Sequence, residues 1–262
     1  MSLFYKFLEL SFKEKYAYRF DFYISILASI LLIVVQVNVW QALYQESSVA
    51  AASLDQMVTY VLLSSIILAL TNSEAASKIG RKMEDGSIIS DFTKPISFRN
   101  YLFAEDLGNN AFRVIFVAFP SVVVTALFFG FSWEGDRMNS TLFFAALALG
   151  VLISFYIKYI IGMFVFWLET SWYIHFFVST VFTLFSGSVI PLWFYPDWLA
   201  AVSYVLPFRL IFFEPISIFL NKYSPKDAVS IIGAQVLWLV ILVLFERLLW
   251  FNAQKKIVVH GG

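Results

Sequence analysis

Long apolar runs separated by polar segments dominate this chain. The first run, Phe22–Leu43, carries no charge, with Gln36 and Asn38 among its few polar residues. At the helical rise it extends roughly 33 Å, enough for the hydrocarbon core of a bilayer. The pattern predicts five further spans: Met57–Thr71, Ala111–Phe131, Leu142–Leu168, Trp172–Ile190 and Val229–Trp250. Ahead of them, residues 3–20 read as an amphipathic helix. Phe4, Leu8 and Phe12 recur every fourth position with Leu3, Phe7 and Leu10 beside them, while Lys6, Glu9 and Lys13 fall elsewhere. Such a helix lies in a membrane interface or packs its apolar face on a partner. The expected fold is all-α: six transmembrane helices in one domain over residues 1–262, an interfacial helix at 1–21 and a polar loop at 74–110.

Residues 191–228 break this pattern. Pro191, Pro196, Pro207, Pro215 and Pro225 interrupt apolar stretches such as Leu192–Tyr195 and Ile211–Phe213. The stretches are too short to span and too apolar for a free loop, so short re-entrant or interfacial helices are expected.

Composition agrees with a lipid solvent. Hydrophobic residues make up 60% and charged ones 14%, against about half and a quarter in soluble domains. Net charge is zero, which argues against nucleic acid as a partner. There is no Cys, which removes disulfides, thiol chemistry and thiolate metal sites. The charged residues Lys6, Glu9, Lys13, Glu14, Lys15, Arg19 and Asp21 leave no apolar core for a signal peptide.

Charge placement sets the expected topology. Of the 18 Lys and Arg, thirteen fall on one set of segments: Lys6, Lys13, Lys15 and Arg19; Lys78, Arg81, Lys82, Lys94, Arg99 and Arg113; Arg247, Lys255 and Lys256. Only Arg137, Arg209, Lys222 and Lys226 lie on the opposite loops. The positive-inside rule therefore places both termini and the 74–113 region in the cytoplasm.

Several kinds of chemistry lack their residues. Gly80-Arg81-Lys82 has no upstream Gly to make a phosphate-binding P-loop. Two His, His175 and His260, cannot form a His-rich metal site. Glu74 and Glu169 sit at inner ends of spans rather than at mid-depth, where an ion relay needs carboxylates, and the spans show no paired half-helices. No acid, base and nucleophile converge as a membrane enzyme requires.

Three stretches carry a family resemblance: Lys82-Met83-Glu84-Asp85-Gly86-Ser87-Ile88 with Lys94-Pro95-Ile96-Ser97; Phe166-Trp167-Leu168-Glu169; and Ser186-Gly187-Ser188-Val189-Ile190-Pro191 followed by Tyr195-Pro196-Asp197-Trp198-Leu199, Leu206-Pro207-Phe208-Arg209 and Pro215. In order and spacing these resemble the permease subunits of type-2 ABC exporters, in their compact six-span branch. Thr93 departs from the Leu usual there. The resemblance implies that this chain binds no cofactor. ATP and Mg would belong to a separate ABC ATPase present in two copies, beside a second permease, identical or related, in a bacterial inner membrane. It further implies an ATPase-coupling set of Arg81, Lys82, Glu84, Asp85, Gly86, Lys94 and Pro95, and an outer gate of Gly187, Pro191, Trp198, Pro207 and Arg209.

Other residues keep two readings. Gly86 is also a plain turn glycine and Pro95 a plain loop proline. Arg209 pairs with Glu214 or Asp197, or snorkels to headgroups. His175 is an end-cap or a proton switch. Gln36 and Asn38 pack against a neighbouring helix or line the path. Lys158 is the one charge deep in a span, about ten residues from its inner end, and a lipid-facing Lys there costs about 2.5–3.5 kcal/mol. With Gly150, Ser154 and Gly162 it traces a small, polar stripe that is expected to face the bundle or a dimer cavity. There it would meet a carboxylate, a carbonyl or an anionic cargo; otherwise its stem snorkels to headgroups. The function expected is export of an amphiphilic or hydrophobic cargo such as a drug-like compound, peptide or lipid, with polysaccharide as a variant. The different-class alternatives are an ATP-independent carrier and a membrane-embedded enzyme.

Overall fold

The computed structural model describes residues 3–17, 19–46, 52–133, 136–168 and 172–257. Among these residues the secondary structure is helical, with no strand. The elements run α1 Leu3–Ala17, α2 Arg19–Glu46, α3 Leu54–Thr71, α4 Ala75–Glu84, α5 Ile88–Phe92, α6 Phe98–Arg113, a π-turn Val114–Ala118, and α7 Phe119–Phe129. They continue with α8 Arg137–Met163, α9 Val165–Leu168, α10 Trp172–Ser186, α11 Asp197–Val205, α12 Phe213–Phe219 and α13 Pro225–Ile257, with 3₁₀ turns at Leu192–Phe194 and Pro207–Leu210.

Five helical runs are long and apolar enough to cross a membrane: Phe22–Gln45, Leu54–Met83, Phe98–Phe129, Arg137–Trp167 and Pro225–Ala253. A bent pair, Asp197–Val205 with Pro207–Phe219, turns through 74° and brings the count to at most six. The protein is thus a multi-pass helical membrane protein of five to six candidate spans. The expected span Trp172–Ile190 is shorter than its hydropathy suggested. α10 covers 15 residues and stops before Gly187, whose φ of 75° lies in the left-handed region that favours glycine.

The third span also begins earlier than its apolar run. Helix starts at Phe98 and runs on to Phe129, so residues 98–110 are not a loop. Their polar groups hide the helix from a hydropathy reading, yet several of them are bonded inside the bundle. Glu105 pairs with Lys78 at 3.0 Å, and the Asn110 amide donates to the Leu70 carbonyl at 2.7 Å. The π-turn follows from Pro120, which has no N–H and would clash with the carbonyl four residues back in a regular helix. The wider turn lets the Phe119 N–H reach the Val114 carbonyl instead.

α8 is the central helix. α13 lies along it, and α4 and α12 pack on it at different heights. Buried Gln235 of α13 ties these parts together, donating to the Ala146 carbonyl of α8 at 2.9 Å and to the Leu210 carbonyl at 2.8 Å. α2 packs on α3 and α7 through a smaller core around Val37, Met57 and Leu62. α1 lays its apolar face on α6, with Phe7 edge-on to Tyr101 at 5.0 Å and Phe12 edge-on to Phe112 at 5.8 Å. Gly108 permits that approach, because a Cβ there would stand 2.3 Å from the Leu8 carbonyl oxygen. Leu3, Tyr5 and Leu10 remain exposed on the other side of α1.

Candidate functional site

A dense polar cluster within the spans forms where α3 breaks. α3 ends at Thr71 because Asn72 adopts an extended ψ of 120°, and the helix restarts at Ala75. A helix end leaves its last carbonyls without partners, and inside a bilayer no water replaces them. Side chains of α6 and α8 do so here. Lys158 Nζ donates to the Thr71 carbonyl at 2.6 Å, and Ser154 Oγ donates to the same oxygen at 3.3 Å. Asn110 serves the Leu70 carbonyl. A cation at a helix C-terminus also meets the negative end of the helix dipole. The Lys158 ammonium lies over the Phe182 ring, 4.7 Å from its centroid.

The restart is bonded as fully as the end. The Ser73 hydroxyl donates to Asp106, which is 5% exposed, and accepts from the Ala75 N–H at 3.2 Å. Arg113 pairs with Glu74 at 3.1 Å and faces the Asn72 amide. The glycines of the α8 stripe make close backbone contacts on either side of this cluster. A Cβ on Gly162 would stand 2.8 Å from Ala76 Cα, and one on Gly150 would stand 3.3 Å from the Ile211 carbonyl oxygen. The break at residues 72–74 is therefore a jointed span whose two halves are clamped by α6 and α8.

α4 leads from that joint to a helical elbow. Gly86, with φ 73°, turns the chain between α4 and α5. The Asp85 carboxylate accepts from the Ser87 N–H at 2.8 Å, and the hydrogen bonds from Ser87 hold its pKa below the ordinary carboxylate value. Asp91, 2% exposed, fixes the elbow from inside by pairing with Lys82 and, at 2.7 Å, with Lys94. Lys94 also lies 3.6 Å from the Tyr101 ring centroid. Arg81 and Pro95 are exposed on the elbow's outer surface. Glu84 is the last residue of α4, and its side chain lies outside the described ones. So does that of His175, while Glu169 and His260 lie outside the described residues altogether.

The Pro-rich segment holds a second buried ion pair. Arg209 pairs with Glu214, which is fully buried, and not with Asp197. The Tyr60 hydroxyl of α3 donates to the Gly187 carbonyl at 2.6 Å, and Trp193 packs on Tyr60 and Phe213. Pro191 and Pro207 are buried beside this cluster, whereas Trp198 is 69% exposed. Gln36 and Asn38 belong to neither cluster. Asn38 is exposed and bonds its own helix at the Val34 carbonyl, 2.7 Å away; Gln36 is half-buried on α2.

Residues 30–261 match the family model described as ABC-2 family transporter protein. The chain belongs to the ABC-2 transporter family. A search of curated proteins finds no match. Membership makes the chain an ABC-2 permease subunit, the membrane component rather than the catalytic one, and implies association with an ABC ATPase.

In this ABC-2 permease the sequence reading passed over Asp106, Asn110, Asp91, Tyr60 and the Arg99–Glu246 pair. A signal existed for part of the set: Asp106, Asn110 and Arg113 recur at intervals of four and three, one face of α6. Asp91 and Tyr60 had none, since their partners are set by how helices pack.

Proposed function

We propose that this permease is the transmembrane half of an ATP-driven exporter that moves an amphiphilic or hydrophobic cargo out of the cytoplasm. A separate ATPase in two copies hydrolyses the nucleotide, and a second permease, identical or related, completes the pathway. Both termini and the α4–α5 elbow then lie in the cytoplasm, as the Lys and Arg distribution favours.

One observation carries the reading. The elbow is exposed outside yet internally locked by Asp91, and α4 connects it directly to the jointed span. A push on the elbow must pass through α4 to residues 72–74, where the helix is interrupted and side chains of α6 and α8 hold the break. Closure of an ATPase against Arg81, Asp85 and Gly86 supplies such a push. The spans offer apolar and aromatic surface rather than charge, which suits an amphiphilic cargo better than a highly charged one.

The test is co-purification of the tagged permease with the ABC ATPase of its host, followed by cargo-stimulated hydrolysis in vesicles. Glu84→Lys with Asp85→Lys is expected to weaken co-elution or to leave hydrolysis running without transport. Unchanged assembly and coupling would remove the elbow from the ATPase interface. Absence of any ATPase in the eluate would favour an ATP-independent carrier.

A further inference from the structure

A cavity of about 770 Å³ opens between the start of α6, the α5–α6 connection and the last turns of α13. It is distinct from the α3 break and from the Arg209–Glu214 cluster. Its floor is aromatic. Phe98 stacks on Trp250 with centroids 6.0 Å apart and planes 16° from parallel, and Phe92 closes the same corner at 5.7 Å from Trp250. Tyr159 of α8 lies beneath the floor, fully buried, and its ring stacks on Phe155 at 5.7 Å.

The charges at this cavity do not balance. Glu246 is buried and already matched, since Arg99 Nη1 reaches it at 3.1 Å. Arg247 at the mouth is exposed and has no carboxylate partner among the described residues. The site thus offers a flat apolar floor and one surplus positive charge at the rim. Its volume falls within the range of small-molecule pockets and is too small for a folded partner segment.

We propose that this cavity binds an anionic amphiphile with a flat aromatic or apolar body, seated on Phe98 and Trp250 with its acidic group at Arg247. The assignment deepens the exporter reading, on which it rests in taking the ligand as cargo. The cavity touches the end of α5 at Phe92, so an occupied floor would brace the elbow. Cargo occupancy would then favour the braced elbow, a coupling that needs no second site.

The test uses the purified full-length permease in phosphatidylcholine nanodiscs and a photoreactive naphthalene sulfonate. Labelling is expected to saturate and to fall on peptides carrying Phe98 and Trp250. Unlabelled naphthalene sulfonate should compete, whereas a naphthyl quaternary ammonium should not. Arg247→Glu should weaken labelling about fivefold, the scale of one exposed charge contact. Trp250→Ala should abolish it, and Trp250→Phe, which keeps the stack, should retain it. Unsaturable labelling spread over the lipid-facing helices would overturn the proposal, as would equal competition by the cation. Loss of labelling only in discs doped with phosphatidylglycerol would assign the cavity to a lipid headgroup and overturn the cargo reading. No ATPase is present, so failure here leaves the subunit assignment standing, and failure to find an ATPase leaves this result standing.

Discussion

Lys158 and Ser154 share one acceptor, the Thr71 carbonyl, and this makes their energies interdependent. Removing Lys158 as Lys158→Met loses a charge-assisted hydrogen bond worth about 1.5–3 kcal/mol. It also relieves the burden of an ammonium at membrane depth, about 2.5–3.5 kcal/mol on insertion scales. The two nearly cancel, so the single variant should unfold within about 1 kcal/mol of the parent, because Ser154 still serves the carbonyl at 3.3 Å. Ser154→Ala should cost about 0.5 kcal/mol, at the low end for one hydrogen bond, since Lys158 remains at 2.6 Å. The double variant leaves the carbonyl unpartnered in a low-dielectric interior, which costs about 1–3 kcal/mol more than the sum of the singles. The assay is reversible unfolding in mixed detergent and dodecyl sulfate micelles followed by fluorescence of the 8 Trp. A coupling below about 0.5 kcal/mol, the ordinary limit of additivity, would refute a shared clamp on the α3 break.

Three further outcomes follow from other parts of the molecule. Single cysteines at Met138 and Lys226, both exposed, should react with an impermeant thiol reagent from outside intact cells and one at Ser87 should not; labelling of Ser87 would reverse the proposed topology. Asn139 is a poor probe for that purpose, being 3% exposed and bonded to Asn221 at 2.7 Å. Arg209→Met should destabilise the protein by about 3–5 kcal/mol by stranding buried Glu214, while Arg209→Met with Glu214→Leu should recover most of that loss; equal thermal denaturation of the two variants would show that the pair is not coupled. Gly108→Val should overpack the α1–α6 contact by about 1–3 kcal/mol and speed tryptic cleavage at Lys13 and Lys15, and unchanged cleavage would mean that α1 is held by other contacts.

Solvent preference could be read along the chain. Apolar runs long enough for a bilayer are a one-dimensional property, because lipid demands apolar side chains whatever their neighbours are. The same holds for the 191–228 region, where Pro removes backbone donors locally and short helices result. The α8 stripe was legible for a related reason: Gly150, Ser154, Lys158 and Gly162 share one face by helical geometry alone.

Partners were not legible in this way. Hydropathy treated residues 98–110 as a loop since Glu105, Asp106 and Asn110 look solvent-bound until Lys78, Ser73 and the Leu70 carbonyl are brought to them. It left Arg209 with two candidate carboxylates, and only the turn at Pro207–Leu210 chose Glu214. The break in α3 has the same character. Nothing in Thr71-Asn72-Ser73 forbids a continuous helix; what makes the break tenable is that α6 and α8 deliver donors to the freed carbonyls. The sequence by itself picked out the apolar runs able to enter lipid, all of the six expected but Trp172–Ile190 falling on helices long enough to cross, because each residue's transfer from water is nearly its own affair. The tertiary structure alone decided which polar groups meet inside, because in a medium without water a hydrogen bond exists only where a second helix supplies its other half.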